Sequence, residues 1–358
     1  MSDLEARALD LFDEYVELTP RRRADALAAL RVREPALHDA LRRLLQADAA
    51  SYPLEGGALD ALYAEHAGSD GDGIDPASLA RVGTMLGPWH IDRVLAQGGM
   101  GTVYEASRAD GQYEKKVALK CIRAEMSSPV LVDAFMRERN HLAKLDHPNI
   151  APLLDGGVEG DGRPWFAMRL VQGVSVDQWT DQQRLDLGSR ISLLLQACRA
   201  LQYAHAHGVL HQDIKPGNLL VSPDGVVHLV DFGLSTLMSG REGDTAALIA
   251  VSNGYTAPEL LTGGAASVAA DVHAIGVVLY QLLVDAWPRP LQPLHTQLSG
   301  IGTGSAQAPS LLAATALPQV AYLRRCRDTR LLRRKLQGDL DAIGLKCVAL
   351  APGDGYAS

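Results

Sequence analysis

Cysteine is scarce in this chain, and the few cysteines follow no recognisable pattern. Only four of the 358 residues are cysteine, namely Cys121, Cys198, Cys326 and Cys347. No two of them have the close spacing of a zinc site, and four scattered residues do not make the disulfide framework of a small secreted protein. The sequence therefore argues against both classes, and we interpret the cysteines as small buried apolar residues.

Long apolar runs and a large excess of either charge are also missing. No run of about 18 apolar residues is present, and the amino-terminal sequence MSDLEARALD is acidic and helix-like, unlike a signal peptide. The net charge of -8 argues against binding to nucleic acid through general charge attraction. We therefore expect a cytoplasmic protein, with no membrane segment in this chain and no nucleic-acid partner.

The first 66 residues have the apolar periodicity of short helices. Leu4, Leu11 and Leu18 share one helical face, and similar stripes predict helices over residues 20–30 and 35–45. Helices of this length are stable mainly through packing, so we expect them to pack together, against the next domain, or in a dimer or partner contact. The following sequence HAGSDGDGIDPAS is rich in Gly, Asp and Ser, and it predicts a flexible linker over residues 67–86.

Beyond this linker a strand-rich half precedes a helix-rich half. Segments with a period of two predict strands over residues 89–96, 101–106, 115–122, 150–158 and 164–171. Helices are predicted over residues 128–145, 187–207, 269–284 and 339–350. Gly208 is placed to end the second of them. This pattern predicts an α+β fold with an antiparallel sheet in its first half.

A glycine-rich turn between the first two of these strands is the first candidate for chemistry. Gly98, Gly99 and Gly101 lie in the sequence AQGGMGTV, where the missing Cβ atoms would let the backbone approach phosphate oxygens. Alone, such a turn is more often a plain hairpin. Lys120 on the third strand could reach the same phosphates, and Glu138 in the following helix is its candidate ionic partner.

The sequence GVLHQDIKPGNLL carries the stronger signal. Asp213 could accept the proton of an attacking hydroxyl group, and Lys215 could neutralise charge on a transferred phosphoryl group. Asn218 and the later Asp231 offer oxygen ligands of the kind that Mg²⁺ requires. His211 is more suited to a structural hydrogen bond than to proton transfer. The pattern therefore predicts phosphoryl transfer.

The order of these motifs, with a later DFG and APE, resembles the eukaryotic-type protein kinase domain of bacterial serine/threonine kinases. The resemblance covers residues 87–358. It implies a two-lobed fold, with an amino-terminal lobe and hinge over residues 87–171 and a mainly helical lobe over residues 172–358. It also implies an enzyme that transfers the γ-phosphoryl group of ATP to serine or threonine of proteins, itself included, with Mg²⁺ or alternatively Mn²⁺.

The resemblance assigns roles to individual residues. It makes Asp213 the catalytic base with Lys215 as its partner, pairs Lys120 with Glu138, and makes Asn218 and Asp231 the metal ligands. It also implies a stack of side chains that links the lobes: Leu142, Leu153, His211, Phe232 and Asp271. The implied nucleotide-binding residues are Leu95, Ala96, Gly98, Gly99, Gly101, Val103, Ala118, Lys120, Met168, Arg169, Val171 and Leu220.

Several positions depart from the family's pattern. Ala96 replaces the first glycine of the loop, and Gln212 replaces the arginine that usually precedes the catalytic aspartate. Since glutamine cannot neutralise a phosphate, we expect activity to depend little on phosphorylation of the activation segment. The candidate sites there are Ser235, Thr236, Ser239, Thr245 and Ser252.

The carboxyl-terminal part also departs from the pattern. Gly355 stands where an arginine usually pairs with the glutamate of APE, so Glu259 needs another partner, for which we consider residues 324–334. The sequence ends at Ser358, where the last helix of such kinases should begin. We therefore expect either a fragment of a longer protein or a naturally shortened lobe.

Two other functions remain open from the residues alone. The first is a pseudokinase, a signalling module that binds nucleotide or a partner without turnover, which the missing arginine and the short lobe favour. The second is a small-molecule phosphotransferase, which shares the His-x-Asp signature but should lack the APE motif and the activation segment.

Overall fold

The computed structural model describes most of the chain after residue 74. The described ranges are 75–98, 101–122, 139, 141–232, 254–261, 264–290 and 304–356, with eight single residues before position 75. Among those eight, Leu30, Leu37 and Leu41 are helical and buried, and Arg7 forms an ion pair of 2.6 Å with Glu34. The rest of the predicted amino-terminal helices lies outside the described residues, as does most of the helix predicted over residues 128–145.

A six-stranded antiparallel sheet forms the first half of the described chain. Its strands are β1 (Met85–Leu86), β2 (Trp89–Gly98), β3 (Gly101–Arg108), β4 (Lys116–Ile122), β5 (Leu153–Val158) and β6 (Pro164–Arg169). They lie in the order β1-β2-β3-β4-β6-β5. Alternate side chains of a strand point to opposite faces, and Ile91, Tyr104 and Leu119 pack into the apolar core on one face. All five strands expected from the sequence are present, with ends that shift by a few residues.

Residues 75–86 are folded onto this sheet, so the flexible linker predicted over residues 67–86 is wrong for its second half. Helix α1 (Pro76–Leu79) begins where Asp75 Oδ1 accepts a hydrogen bond from the backbone nitrogen of Ala77. Arg81 then forms a two-pronged ion pair with Glu159, at 2.8 and 2.9 Å. The sequence pattern does not reveal this capped helix and short strand, because both are too short to show a periodicity.

The second half is mainly helical and contains the larger apolar core. Its helices are α2 (Val176–Gln182), α3 (Leu187–Ala206), α4 (Pro258–Leu261), α5 (Val268–Val284), α6 (Pro309–Thr315), α7 (Pro318–Leu323), α8 (Thr329–Leu336) and α9 (Asp339–Cys347). Helix α3 ends just before Gly208, whose φ of +74° suits a residue without Cβ. Helix α9 ends at Cys347, where the prediction continued it to residue 350. Helix α5 is buried along almost its whole length.

A small three-stranded sheet joins the two halves. Its strands are β7 (Val174–Ser175), β8 (Leu219–Val221) and β9 (Val227–Leu229), and a 3-10 turn, Pro216–Asn218, precedes β8. Strands β8 and β9 form a hairpin in which the backbone nitrogen of Val230 donates to the carbonyl oxygen of Asn218 at 3.0 Å. The hairpin therefore brings the residues before β8 beside those after β9, which places two predicted metal ligands in neighbouring positions.

Candidate active site

The glycine-rich turn and Lys120 are joined through the strand register. Gly98 pairs with Gly101 at the end of the β2–β3 hairpin, and Val103 pairs with Lys120 across β3 and β4. A Cβ atom at Gly101 would lie 2.1 Å from the carbonyl oxygen of Cys121, so a side chain does not fit there. Gly99, also predicted for this turn, lies outside the described residues.

Lys120 contacts Asp231 across the space between the two sheets. Its Nζ donates to Asp231 Oδ2, although the two residues are 111 positions apart in the sequence. The lysine side chain is only 6% exposed. The predicted partner Glu138 lies outside the described residues, so that pairing stays a prediction.

Asp213, Lys215 and Asn218 form a compact cluster. Asp213 Oδ2 accepts a hydrogen bond from Asn218 Nδ2 at 2.9 Å and forms an ion pair with Lys215 Nζ at 3.0 Å. The Asn218 amide also donates to the Asp213 carbonyl oxygen at 2.6 Å. The Asp213 side chain remains 16% exposed. The cluster therefore holds the carboxylate by two donors while leaving it accessible to a substrate.

The buried carboxylate of Asp271 holds the loop that carries this cluster. It accepts hydrogen bonds from the backbone nitrogens of His211 at 2.8 Å and Gln212 at 2.7 Å, and it lies 2.8 Å from His205 Nε2. Gln212 and Asp231 have φ angles of +63° and +69°. Left-handed conformations are unfavourable for residues with a Cβ and persist only where neighbours hold them. For Gln212, the bond to Asp271 supplies such a constraint.

His211 packs between the loop that carries Asp213 and the segment that carries Asp231. Its ring lies 4.5 Å from the ring of Phe232, between centroids, and its Nε2 lies 3.1 Å from the carbonyl oxygen of Val230. Burial lowers the pKa of the His211 ring, so the neutral form is favoured. This position suits the structural role expected from the sequence. Of the other residues in the predicted stack, Leu153 pairs with Met168 across β5 and β6, and Leu142 packs against the larger core.

The residues predicted to bind adenine lie on both sheets. Ala118 pairs with Met168 across β4 and β6, and the buried Met168 belongs to a small apolar cluster with Ile122 and Phe166. Leu220 is half-buried on β8 of the small sheet. Four other predicted residues lie on strands of the larger sheet or just after them: Leu95 and Ala96 on β2, Arg169 at the end of β6, and Val171 just beyond β6.

The side-chain oxygens of Asp231 and Asn218 suit a divalent cation whose remaining ligands come from other molecules. Asp231 Oδ1 is buried and has no hydrogen-bond partner within the described part of the chain, whereas Oδ2 is engaged by Lys120. Among the described residues, no group of three or more His, Cys, Asp or Glu side chains is arranged to hold a metal alone. One carboxylate and one amide suit Mg²⁺, which commonly takes its remaining ligands from water and phosphate.

Two predictions concern the region that follows the site. Residues 233–253, with all the candidate phosphorylation sites, lie outside the described residues. Arg324, one candidate partner of Glu259, instead donates to the carbonyl oxygens of Leu283 at 3.2 Å and Gln281 at 2.9 Å, and it lies 3.4 Å from Asp181. Its guanidinium group is therefore committed inside the helical half.

The sequence analysis missed a hydrogen-bonded group on the outer face of the glycine-rich hairpin. Ser78 of α1 contacts Gln97 and Thr102, the residues on either side of the turn. The signal that could have revealed α1 is Asp75-Pro76, a capping residue followed by the proline that often occupies the first position of a helix.

Comparison with known proteins agrees with this geometry. The profile of the protein kinase domain family matches residues 89–305. This match covers more than half of the chain, which therefore belongs to the protein kinase family. No helix in the described ranges combines the length and apolar character required to cross a membrane.

Individual relatives are serine/threonine kinases of mycobacteria. The chain is 38% identical over 208 residues to the serine/threonine-protein kinase PknA of Mycobacterium tuberculosis, covering 56% of this chain and 48% of the relative. It is 31% identical over 287 residues to PknH of Mycobacterium bovis, covering 80% and 44%. The chain thus spans about half the length of the curated relatives that it matches.

The same fold occurs in a solved structure. A double mutant of the PknI kinase domain of Mycobacterium tuberculosis superimposes with a TM-score of 0.56 at 25% identity, covering 77% of this chain and 93% of the other. The two-lobed α+β fold expected from the sequence is thereby confirmed.

Proposed function

We propose that this chain is a serine/threonine protein kinase that transfers the γ-phosphoryl group of ATP to hydroxyl groups of proteins. One observation carries the proposal: the Asp213, Lys215 and Asn218 cluster lies on a buried support beside a Lys120 and Asp231 pair that spans both sheets. Membership of the family and the names of the mycobacterial relatives support it.

The proposed chemistry assigns a task to each side chain. Asp213 orients the substrate hydroxyl group and accepts its proton, and Asn218 and Lys215 hold its carboxylate in place. Lys120 and Lys215 place positive charge where negative charge builds up on the phosphoryl group. Lys120 pairs with Val103, which follows Gly101 by two positions on β3. Lys120 therefore lies beside the glycine-rich turn, whose backbone would cover the phosphates.

Asn218 and Asp231 are the proposed ligands of Mg²⁺, with Mn²⁺ as an alternative. The unpartnered Asp231 Oδ1 supports this assignment. When bound, the cation supplies positive charge against the phosphates. The predicted nucleotide contacts of the strand and hinge residues belong to the same proposal.

The partners in this proposal are proteins with accessible serine or threonine residues, the chain itself included. Docking or dimer contacts through the amino-terminal helices, and a cytoplasmic location, stay predictions. Residues 1–66 carry the helical stripes that suggested such contacts.

Transfer of radiolabelled γ-phosphate to a general protein substrate tests the function. We expect label on serine and threonine, and a loss of about 10²–10⁴-fold in the Asp213→Asn variant, with nucleotide binding retained. Asp224→Asn is the matched control, because Asp224 is an exposed carboxylate in the β8–β9 turn.

Two outcomes would contradict the proposal. Nucleotide binding without label above the Asp213→Asn background would identify a pseudokinase. Label on an aminoglycoside, with none on protein, would identify a small-molecule phosphotransferase.

A further inference from the structure

The glycine-rich hairpin is held from its outer face by a segment that precedes the sheet. Gln97 and Thr102 are register partners that flank the turn, and both contact the hydroxyl group of Ser78 on α1. Gln97 Nε2 donates to Ser78 Oγ at 3.2 Å, and Ser78 Oγ lies 2.9 Å from Thr102 Oγ1. One buried hydroxyl group therefore ties together the two strand ends from which the turn projects.

Neighbouring contacts extend this arrangement, which we call the Ser78 clasp (residues 75–78 with Gln97 and Thr102). The backbone nitrogen of Asp75 donates to Gln97 Oε1 at 2.9 Å, so the Gln97 amide is bound at both ends. Tyr104, buried on the same strand as Thr102, donates its hydroxyl proton to the carbonyl oxygen of Ser78 at 3.3 Å. Ser78 and Thr102 are each only 6% exposed.

The clasp lies on the opposite face of the hairpin from the nucleotide-facing residues. Alternation along β3 places Thr102 and Tyr104 on one face and Val103 on the other, and Val103 pairs with Lys120. The clasp therefore does not compete with nucleotide. It holds instead Gln97 and Thr102, which pair at the two strand ends beside the turn.

A restraint of this kind matters because glycine lowers the stiffness of the turn. A flexible loop loses conformational freedom when it closes over a ligand, and ordering its ends beforehand reduces that loss. We propose that Ser78 is a positioning residue for the phosphate-covering turn, and that it acts through Gln97 and Thr102 at the two strand ends. This inference rests on the proposed kinase function.

The test compares two anchors of the same segment. Ser78→Ala removes the hydroxyl group, and we expect it to raise the Kd and the KM for ATP by about 3- to 10-fold while changing kcat and the KM for protein substrate by less than about twofold. Arg81→Gln is the matched control, because it removes the ion pair with Glu159 and leaves the hairpin bonds in place. We expect it to lower Tm and leave the KM for ATP unchanged.

A double-mutant cycle shows whether the effect passes through the hairpin. Thr102→Val should raise the KM for ATP as Ser78→Ala does, the double variant should be little worse than either single variant, and Thr102→Ser should restore the wild-type value. Additive effects, or equal changes in Ser78→Ala and Arg81→Gln, would overturn the inference.

Amide hydrogen exchange separates this inference from the kinase assignment. Ser78→Ala should accelerate exchange in a peptide covering residues 97–102, whereas Arg81→Gln should not. If the wild-type chain bound no nucleotide, the kinase proposal would fail, and the exchange rates would still decide whether the clasp restrains the turn. Unchanged exchange in Ser78→Ala would refute the clasp.

Discussion

The two halves of the site are held together in contrasting ways. Asp213 and Asn218 are five positions apart and lie on one loop, which the Asp271 carboxylate fastens to α5. Lys120 and Asp231 are 111 positions apart and meet only because two separate sheets place them opposite each other. The first half is thus built by local sequence and a buried support, and the second by the relation between sheets.

The contrast explains where control of activity is expected to act. A cluster on one loop keeps its geometry if the sheets shift, whereas a pair that spans them does not. Changes in the glycine-rich turn, the strand bearing Lys120 or the helix that follows it should therefore alter the second half first. The predictions below test that difference.

Lys120→Met should abolish most activity without unfolding the chain. The substitution removes the charge that bridges to Asp231, and we expect phosphoryl transfer to fall by about 10²–10³-fold. Lys116→Met is the matched control, since Lys116 lies on the same strand and its exposed side chain pairs at 2.7 Å with the buried Glu105. Its transfer rate should stay within about twofold of wild type. Equal losses in both variants would mean that the strand, and not the cross-sheet pair, was being tested.

Asp271→Asn should disturb the loop that carries Asp213 and Asn218, because Asp271 holds this loop by two hydrogen bonds. The amide cannot accept hydrogen bonds at both of its polar atoms, so at least one buried donor loses its partner. We expect the free energy of unfolding to fall by about 2–4 kcal/mol and activity to fall with it. Chemical denaturation and initial rates measure both effects, with the exposed Asp339→Asn as control. Unchanged activity in a destabilised variant would show that the loop holds its shape without Asp271.

The stability of α5 should depend on pH through His273. Burial lowers the pKa of this ring from 6.5 to about 4. Above pH 6.5 the ring is neutral in both states; between about pH 6.5 and pH 4 the unfolded chain binds a proton that the folded chain does not. Stability should therefore decrease as pH falls through this range, by up to about 3 kcal/mol. Denaturation curves should show a weaker pH dependence in His273→Phe, and an identical slope would contradict the assignment.

Alanine at four of the five candidate sites in the activation segment should have the smallest effect. With Gln212 in place of arginine, a phosphate there lacks its usual cationic partner at this position. We expect the combined variant of Ser235, Thr236, Ser239 and Thr245 to keep its activity within about threefold of wild type. Initial rates of phosphate transfer measure this, after treatment of both proteins with phosphatase. A loss of tenfold or more would show that activation proceeds through one of these residues.

Sequence reasoning succeeded where spacing alone implies proximity. The strands were found because alternation is visible over five or more residues, and Asp213, Lys215 and Asn218 are close because few residues separate them. The contact between Lys120 and Asp231 depends on the arrangement of both sheets, which no local pattern encodes.

The errors have the same origin. Composition predicts a linker over residues 75–86, although a capped turn of helix and a two-residue strand are enough to hold them in place. The strands of the small sheet are equally short, with two or three residues each. Elements of this size are specified by what they pack against.

The attachment of the catalytic loop to α5 has an evolutionary consequence. Asp271 accepts hydrogen bonds from the backbone N–H groups of residues 211 and 212, and every amino acid except proline supplies such a donor. A substitution at position 212 can therefore change how such a protein responds to phosphorylation while the catalytic loop keeps its position. Gln212 itself shows this independence, because its backbone bond to Asp271 is present although its side chain carries no charge.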